Sequence, residues 1–187
     1  MERKFIEFTA ETNAIDYLSK VPQFLNSAQM SRKDWKWVIV SLHGAIYGFA
    51  ICAAQGSDPS LLSTKTKRGI PKLKTFDQIL DMCKNPALMR SEHGRTELII
   101  EDKEQAALKS LKNEVRNNFE HFSPMNWYLS EALLLEITEN SLNVIEKLHP
   151  KLSRFCFLSN NQHRQIKSYI YQSRKMLKSF PRRYTSK

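Results

Sequence analysis

The feature that most constrains the fold is one long apolar stretch. Between residues 37 and 54 only Ser41 and His43 are clearly polar. A segment of this length either crosses a membrane or forms a helix that its neighbours bury on most sides. The histidine in the middle and the lack of a second such segment favour the buried helix. Gly44 and Gly48, four residues apart, predict a close crossing with another helix.

Helical periodicity continues through the rest of the chain. Five glycines and seven prolines in 187 residues disfavour a turn-rich β fold, and we find no clear alternating strand. The further predicted helices cover about 4–26, where Pro22 could interrupt the helix, 76–84 with Thr75 as its cap, 99–122 ended by Pro124, 126–149 ended by Pro150, and 161–179. Polar connections are predicted at 55–74 and 84–96. The fold class is therefore all-α, a single-domain bundle of five to six helices.

Positive charge is concentrated at the end of the chain. The net charge is +10, but residues 1–150 hold 19 basic and 19 acidic side chains. Residues 151–187 hold ten Lys and Arg and no acid. We therefore divide the chain into a helical bundle, 1–150, and a basic C-terminal helix and tail, 151–187.

The basic end predicts contact with nucleic acid. A row of cations neutralises phosphates and gives affinity with little sequence choice. The candidate RNA-binding residues are Lys167, Arg174, Lys175, Lys178, Arg182 and Arg183. Tyr169, Tyr171 and Tyr184 could stack on bases. A solubilising face, or an arm that meets an acidic protein, is the alternative.

Cysteine and histidine usage predicts neither a disulfide framework nor a metal site. The three cysteines are far apart and form no CxxC pair, which favours reduced thiols and a cytoplasmic location. The first residues contain acids and no long apolar run, so we expect no secretory signal. The five histidines show no pairing at i+3 or i+4 and no adjacent cysteine. No Gly-rich phosphate loop appears, and we expect no cofactor.

The strongest functional candidate is the heptapeptide RNNFEHF at residues 116–122. On a helical wheel that starts from Val115, Phe119 and Phe122 fall near the core side. The polar side chains fall together on the other side, and they are Arg116, Asn117, Glu120 and His121. Periodicity alone favours a solvated face in which Arg116 and Glu120 form an ordinary i,i+4 ion pair.

The same residues suit RNA cleavage by the 2′-hydroxyl. That reaction needs a group that takes a proton, a group that gives one, and a cation for the charge that develops on the phosphate. Histidine exchanges protons near neutral pH, and arginine can bind two phosphate oxygens at once. One histidine cannot hold both protonation states, so a symmetric dimer that joins two such faces would supply two.

The longer stretch LKNEVRNNFEHFSPMNW resembles the HEPN (higher eukaryotes and prokaryotes nucleotide-binding) family. Arg116, Asn117 and His121 match the family's signature near the end of a long helix, and the following HFSP with Trp127 is similar to its continuation. The apolar helix DWKWVIVSLHGAIYGFAICA looks like the helix that pairs with the signature helix. The resemblance covers about residues 30–150.

The resemblance implies a metal-independent endoribonuclease that acts as a homodimer with a composite site. Members act as toxins, in antiviral defence and in RNA processing, so an antitoxin or a nucleotidyltransferase is a candidate partner. His121 would be the acid/base, Arg116 the cation and Asn117 a positioning group. Glu120 would either orient His121 or pair with Arg116. The rival reading is a non-catalytic module that binds RNA or a protein partner, and a membrane-associated protein is a weaker third.

Overall fold

The fold is a bundle of helices, as predicted. The computed structural model describes residues 5–56, 58–90, 96–121, 126–153 and 155–181. The helices are α1 (Ala10–Ala28), α2 (Trp35–Ala54), α3 (Phe76–Lys84), α4 (Pro86–Arg90), α5 (Asp102–Lys109), a π-helical segment (Ser110–Arg116), α6 (Asn117–Glu120), α7 (Glu131–Leu148) and α8 (Asn160–Ser179). Short 3₁₀ turns lie at Arg32–Asp34, Pro59–Leu62 and His149–Lys151.

Helix α2 lies at the centre and packs against α1, α3 and α7. Val38, Leu42 and Ile46 are fully buried on it. Its neighbours therefore account for its apolar character, as expected of a core helix. By length and composition, Arg32–Ala54 is one helix that could cross a membrane, and 56% of its most apolar window is buried.

The two glycines of α2 mark a close crossing with α1, as predicted. A Cβ added at Gly44 would lie 2.7 Å from the ring of Tyr17. A Cβ added at Gly48 would lie 2.7 Å from the Cβ of Ala14 and 3.2 Å from its Cα. The absence of a side chain at both positions therefore lets the two helix backbones approach.

Helix α1 begins at Ala10 instead of near residue 4, so its predicted start was wrong, and the possible interruption at Pro22 does not occur. The Thr9 and Thr12 side chains form a reciprocal capping box, which starts the helix at Ala10 and leaves Phe5 and Phe8 exposed before it. Pro22 is buried inside the helix without ending it. Burial of its flanking apolar residues compensates for the one backbone hydrogen bond that proline cannot donate.

The connections contain more regular structure than the sequence indicated. Ser63–Lys65 (β1) and Pro71–Leu73 (β2) pair as an antiparallel hairpin, with Ser63 opposite Leu73. Gly69 has a φ of +76°, a conformation that glycine adopts without strain. The next connection contains α4, which starts with Pro86 at the position that proline favours.

Helix α8 belongs to the same core as the rest of the bundle. It packs against α1 and α7, and its buried Ile166, Ile170 and Leu177 join the common apolar cluster. The segment before it is attached to α2, since the Ser153 N–H donates to the Cys52 carbonyl over 3.1 Å. All three cysteines are free and buried.

Candidate functional site

The signature helix is the continuous helix of residues 102–120, at the end of which RNNFEHF lies. It contains a π-helical segment that the sequence did not reveal. Glu101 caps the start of α5, so the helix begins at Asp102 rather than near residue 99. Ser110–Arg116 has π-helical hydrogen bonding, in which each bond spans five residues instead of four, and the Asn117 N–H accordingly donates to the Lys112 carbonyl. Such segments occur frequently at functional sites. They also shift the helix faces, so the assumption of a uniform 100° per residue was wrong here.

The expected apolar side of this helix is nevertheless the buried one. Leu108, Leu111 and Val115 are at most 2% exposed, and Phe119 packs partly against the core. Phe122 and Pro124, which were expected to extend and end the helix, lie outside the described residues. Helix α7 begins at Glu131 instead of near residue 126, because the Ser130 hydroxyl caps it.

Arg116, Asn117 and Glu120 form one connected polar cluster. The Arg116 Nη2 lies 2.6 Å from Glu120 Oε2, and its Nη1 donates to Asn117 Oδ1 over 3.1 Å. The side chains of Arg116 and Glu120 are 28% and 35% exposed. Of the two roles expected for Glu120, pairing with Arg116 is the one that this geometry contains. A phosphate that binds Arg116 would have to compete with this carboxylate.

His121 stands just beyond the last helical residue. Its backbone has left the helical conformation (φ −116°, ψ 87°), and its N–H donates to the Asn117 carbonyl over 2.8 Å. Asn117 therefore contacts Arg116 through its side chain and His121 through its backbone. The His121 ring is exposed, and among the described residues no hydrogen bond joins it to Glu120. An exposed imidazole at this place is open to a substrate.

A second histidine is electrostatically linked to this cluster. His43 of α2 is half-buried and stacks on Phe76 with ring centroids 4.6 Å apart. Burial, and then the charges of Arg116 and Lys112, lower the pKa of His43 from 6.5 to about 4, while Asp77 opposes them. His43 is therefore uncharged at neutral pH. Sequence reasoning treated it only as a polar interruption of an apolar helix.

The exposed cations of α8 lie on a face away from the core. Lys167, Lys175 and Lys178 are exposed, and within the described ranges no carboxylate pairs with them. Arg174 differs, because its guanidinium binds Glu146 over 2.7 Å and Asn143 over 2.7 Å. Arg182 and Arg183 lie outside the described residues.

Two histidines that are distant in sequence meet between α7 and α8. His149 Nε2 lies 2.8 Å from His163 Nδ1. Burial lowers the pKa of His149, and His163 and Lys167 lower it further. A search for i+3 or i+4 spacing could not find this tertiary pair. Among the described residues, no group of three or more His, Cys, Asp or Glu is placed to hold a metal ion.

No protein-family model, curated protein or solved structure matches this chain. The resemblance to HEPN domains therefore depends on the motif and its helical setting. The local geometry on which a function can be argued is the Arg116–Asn117–Glu120 cluster with His121 at the helix end.

Proposed function

We propose that this chain is a metal-independent endoribonuclease of HEPN type that cleaves RNA through its own 2′-hydroxyl. The observation that carries the proposal is the polar cluster at the end of the signature helix. The Arg116 side chain contacts Asn117 and Glu120, and the backbone N–H of His121, whose ring is exposed, donates to the Asn117 carbonyl. These are the residue types that the reaction needs, and six consecutive residues at the end of the helix contain them.

In the proposed reaction, the 2′-oxygen attacks the adjacent phosphorus and the bond to the 5′-oxygen breaks. A base accepts the 2′-hydroxyl proton, and an acid protonates the departing 5′-oxygen. The products are a 2′,3′-cyclic phosphate and a 5′-hydroxyl. His121 supplies the proton transfer and Arg116 stabilises the negative charge on the phosphate oxygens.

The dimer belongs to the proposal because one imidazole cannot be base and acid at the same moment. Two protomers that bring their helix ends together would place two copies of His121 and two of Arg116 at one phosphate. Within each protomer, Asn117 positions both groups. Glu120 pairs with Arg116 until the phosphate of the RNA displaces the Glu120 carboxylate, because two phosphate oxygens can bind the guanidinium in the same forked geometry.

The test is RNA cleavage in the presence of EDTA by the parent protein and by Arg116→Ala, His121→Ala and Asn118→Ala. Asn118 is the matched control, because it is exposed on the same turn and outside the signature. We expect cleavage that leaves 2′,3′-cyclic phosphate, lost in the first two variants and kept in the control. Failure of the parent to cut varied RNAs, although folded, dimeric and free of any bound inhibitor, would contradict the proposal.

A second candidate is a non-catalytic RNA-binding module, and the three exposed lysines of α8 favour it. Replacing Lys167, Lys175 and Lys178 by Gln would reduce the slope of log affinity against log salt by about 0.7 for each phosphate that the protein no longer neutralises on a single strand. RNA binding that survives His121→Ala, with no cleavage by the parent, would favour this module over the nuclease.

A further inference from the structure

A small pocket lies on the side of the signature helix that carries Phe119. Its volume is about 230 Å³, below the range of about 300–1,000 Å³ that is usual for sites of drug-sized ligands. It is therefore of a size for one planar ring system. The lining residues are Arg32, Lys33, Trp35, Phe119, Trp127, Leu129, Glu131 and Leu134.

Aromatic rings from three parts of the chain line this pocket. Trp127 meets Phe119 edge to face, with ring centroids 4.9 Å apart and planes at 79°. Trp35, at the start of α2, is 3% exposed and packs on Phe180 with centroids 5.2 Å apart. Trp127 keeps 38% of its surface exposed. An exposed indole at the edge of an apolar pocket can stack on a flat ligand.

Trp35, which lines the pocket, carries a buried hydrogen-bond donor that has no acceptor among the described residues. The indole Nε1 of Trp35 is buried, and no described residue accepts its proton. Buried polar groups in proteins are nearly always hydrogen-bonded, so this donor requires a partner. A ligand with a ring nitrogen or carbonyl would supply one, once an adjustment of the surrounding side chains opens a path to it.

Charged groups at the same pocket indicate which polar groups the rest of the ligand would carry. Arg32 and Lys33 are exposed and adjacent on the turn before α2, and they can bind a phosphate. The carboxylate of Glu131 can accept an N–H group. A flat heterocycle with acceptors, N–H donors and a phosphate nearby is a nucleotide.

We propose that this pocket binds one nucleobase, stacked on Trp127 and hydrogen-bonded to the Trp35 indole, with its phosphate on Arg32 and Lys33. The binding of a base is independent of the proposed function. The further claim that this base belongs to an RNA strand rests on the proposed function. The same chemistry occurs in RNA and in free mononucleotides, so the experiment compares the two. In the RNA case the pocket holds one nucleotide of the bound strand and so influences where along the strand the protein binds.

The test measures binding rather than cleavage. The probes are a fluorescein-labelled RNA hexamer, followed by anisotropy, and the four ribonucleoside 5′-monophosphates, followed by calorimetry. Ribose 5-phosphate serves as the probe that lacks a base. His121→Ala is the background for the hexamer, so that substrate is not consumed.

Trp35→Phe keeps an aromatic ring, although a smaller one, and removes the donor, and Trp127→Leu removes the stacking surface. Trp37→Phe is the matched control, because Trp37 is 45% exposed and does not line the pocket. We expect Trp127→Leu to weaken binding about tenfold or more and Trp35→Phe about threefold to tenfold, with the control unchanged. Arg32 and Lys33 are exposed, so replacing both by Gln should not affect folding. We expect this double variant to reduce the dependence of RNA affinity on salt concentration.

Tighter binding of the hexamer than of any mononucleotide identifies RNA as the source, and the reverse identifies a free nucleotide; either supports the pocket. Unchanged affinity in both Trp35→Phe and Trp127→Leu, checked as folded by circular dichroism, overturns it. Equal binding of ribose 5-phosphate also overturns it, because no base would then be recognised. A parent protein that never cuts RNA but shows these losses would refute the nuclease and leave the pocket intact.

Discussion

Lowering the pH should reduce the free energy of unfolding of this protein, because the folded chain keeps His43 uncharged. Burial first, and then the charges of Arg116 and Lys112, lower the pKa of this imidazole from 6.5 to about 4. Between these two values the unfolded chain binds a proton at His43 that the folded chain does not. Stability is therefore lost as the pH falls below 6.5, and the loss from this group is complete below about pH 4.

The size of the effect follows from the two pKa values. At pH 5 the unfolded form of His43 is almost fully protonated and the folded form is about one-tenth protonated. The resulting loss in the free energy of unfolding, relative to pH 7, is about 2 kcal/mol. For a domain of marginal stability this is a considerable share.

Urea unfolding followed by circular dichroism at pH 7 and pH 5 measures this loss. Other groups titrate over the same range, so the parent is compared with His43→Gln, which cannot take the proton. We expect the parent to lose about 2 kcal/mol more than the variant between the two pH values. Equal losses would refute the reasoning. Arg116→Gln should raise the midpoint of the His43 titration measured by NMR, because one of the opposing charges is gone.

Three further changes test other parts of the fold. Gly48→Ala should destabilise by about 1–3 kcal/mol in urea unfolding, because its Cβ would lie 2.7 Å from an atom of α1; equal stability would show that the crossing can open. Lys147→Met should cost about 1–3 kcal/mol, since it removes the ammonium 2.7 Å from the carboxylate of Glu104, which is 1% exposed and keeps the Glu101 N–H as a donor; Glu104→Gln with Lys147→Met should recover part of that loss. A hydrogen bond that the Cys52 thiol donates to Cys156, together with burial, raises the pKa of Cys52, so we expect iodoacetamide to modify it only after unfolding; mass spectrometry measures this, and rapid modification of the folded chain would contradict it.

Local signals carried most of the helix predictions. The last helix was expected at 161–179 and spans Asn160–Ser179, because Ser159 and Gln162 form a capping box at its start. Thr75 caps α3 as predicted, with Gln78 completing the box. The close α1–α2 crossing followed from two glycines on one apolar helix. In each case a few adjacent residues determine the structure, so the sequence pattern contains the information.

The structural features that the sequence did not predict depend on packing between segments that are distant in the chain. The hairpin strands are three residues long and largely exposed, so they have no alternation to detect. The π-helical segment SLKNEVR contains no residue that marks one. The sequence left open whether Pro22 interrupts α1, and the structure shows the proline buried inside an unbroken helix.

The candidate site shows the same division. The heptapeptide RNNFEHF located Arg116, Asn117 and Glu120, and Arg116 contacts the other two because they lie one and four residues after it on the helix. The motif could not reveal that the charge of Arg116 acts on His43 or that Trp35 and Trp127 line one pocket, because the members of each pair come from distant parts of the chain. The role of the exposed lysines on α8 stays a prediction.

The most direct test of the central claim is the rate of cleavage at one phosphodiester bond in an RNA oligonucleotide, measured with EDTA present and protein in excess. The same bond is measured with a 2′-deoxy sugar on its 5′ side and with His121→Ala protein. We predict cleavage of the unmodified bond by the parent, and loss of cleavage in both other cases. Cleavage that continues at the 2′-deoxy bond, or without His121, would contradict the account of RNNFEHF as the site of the reaction.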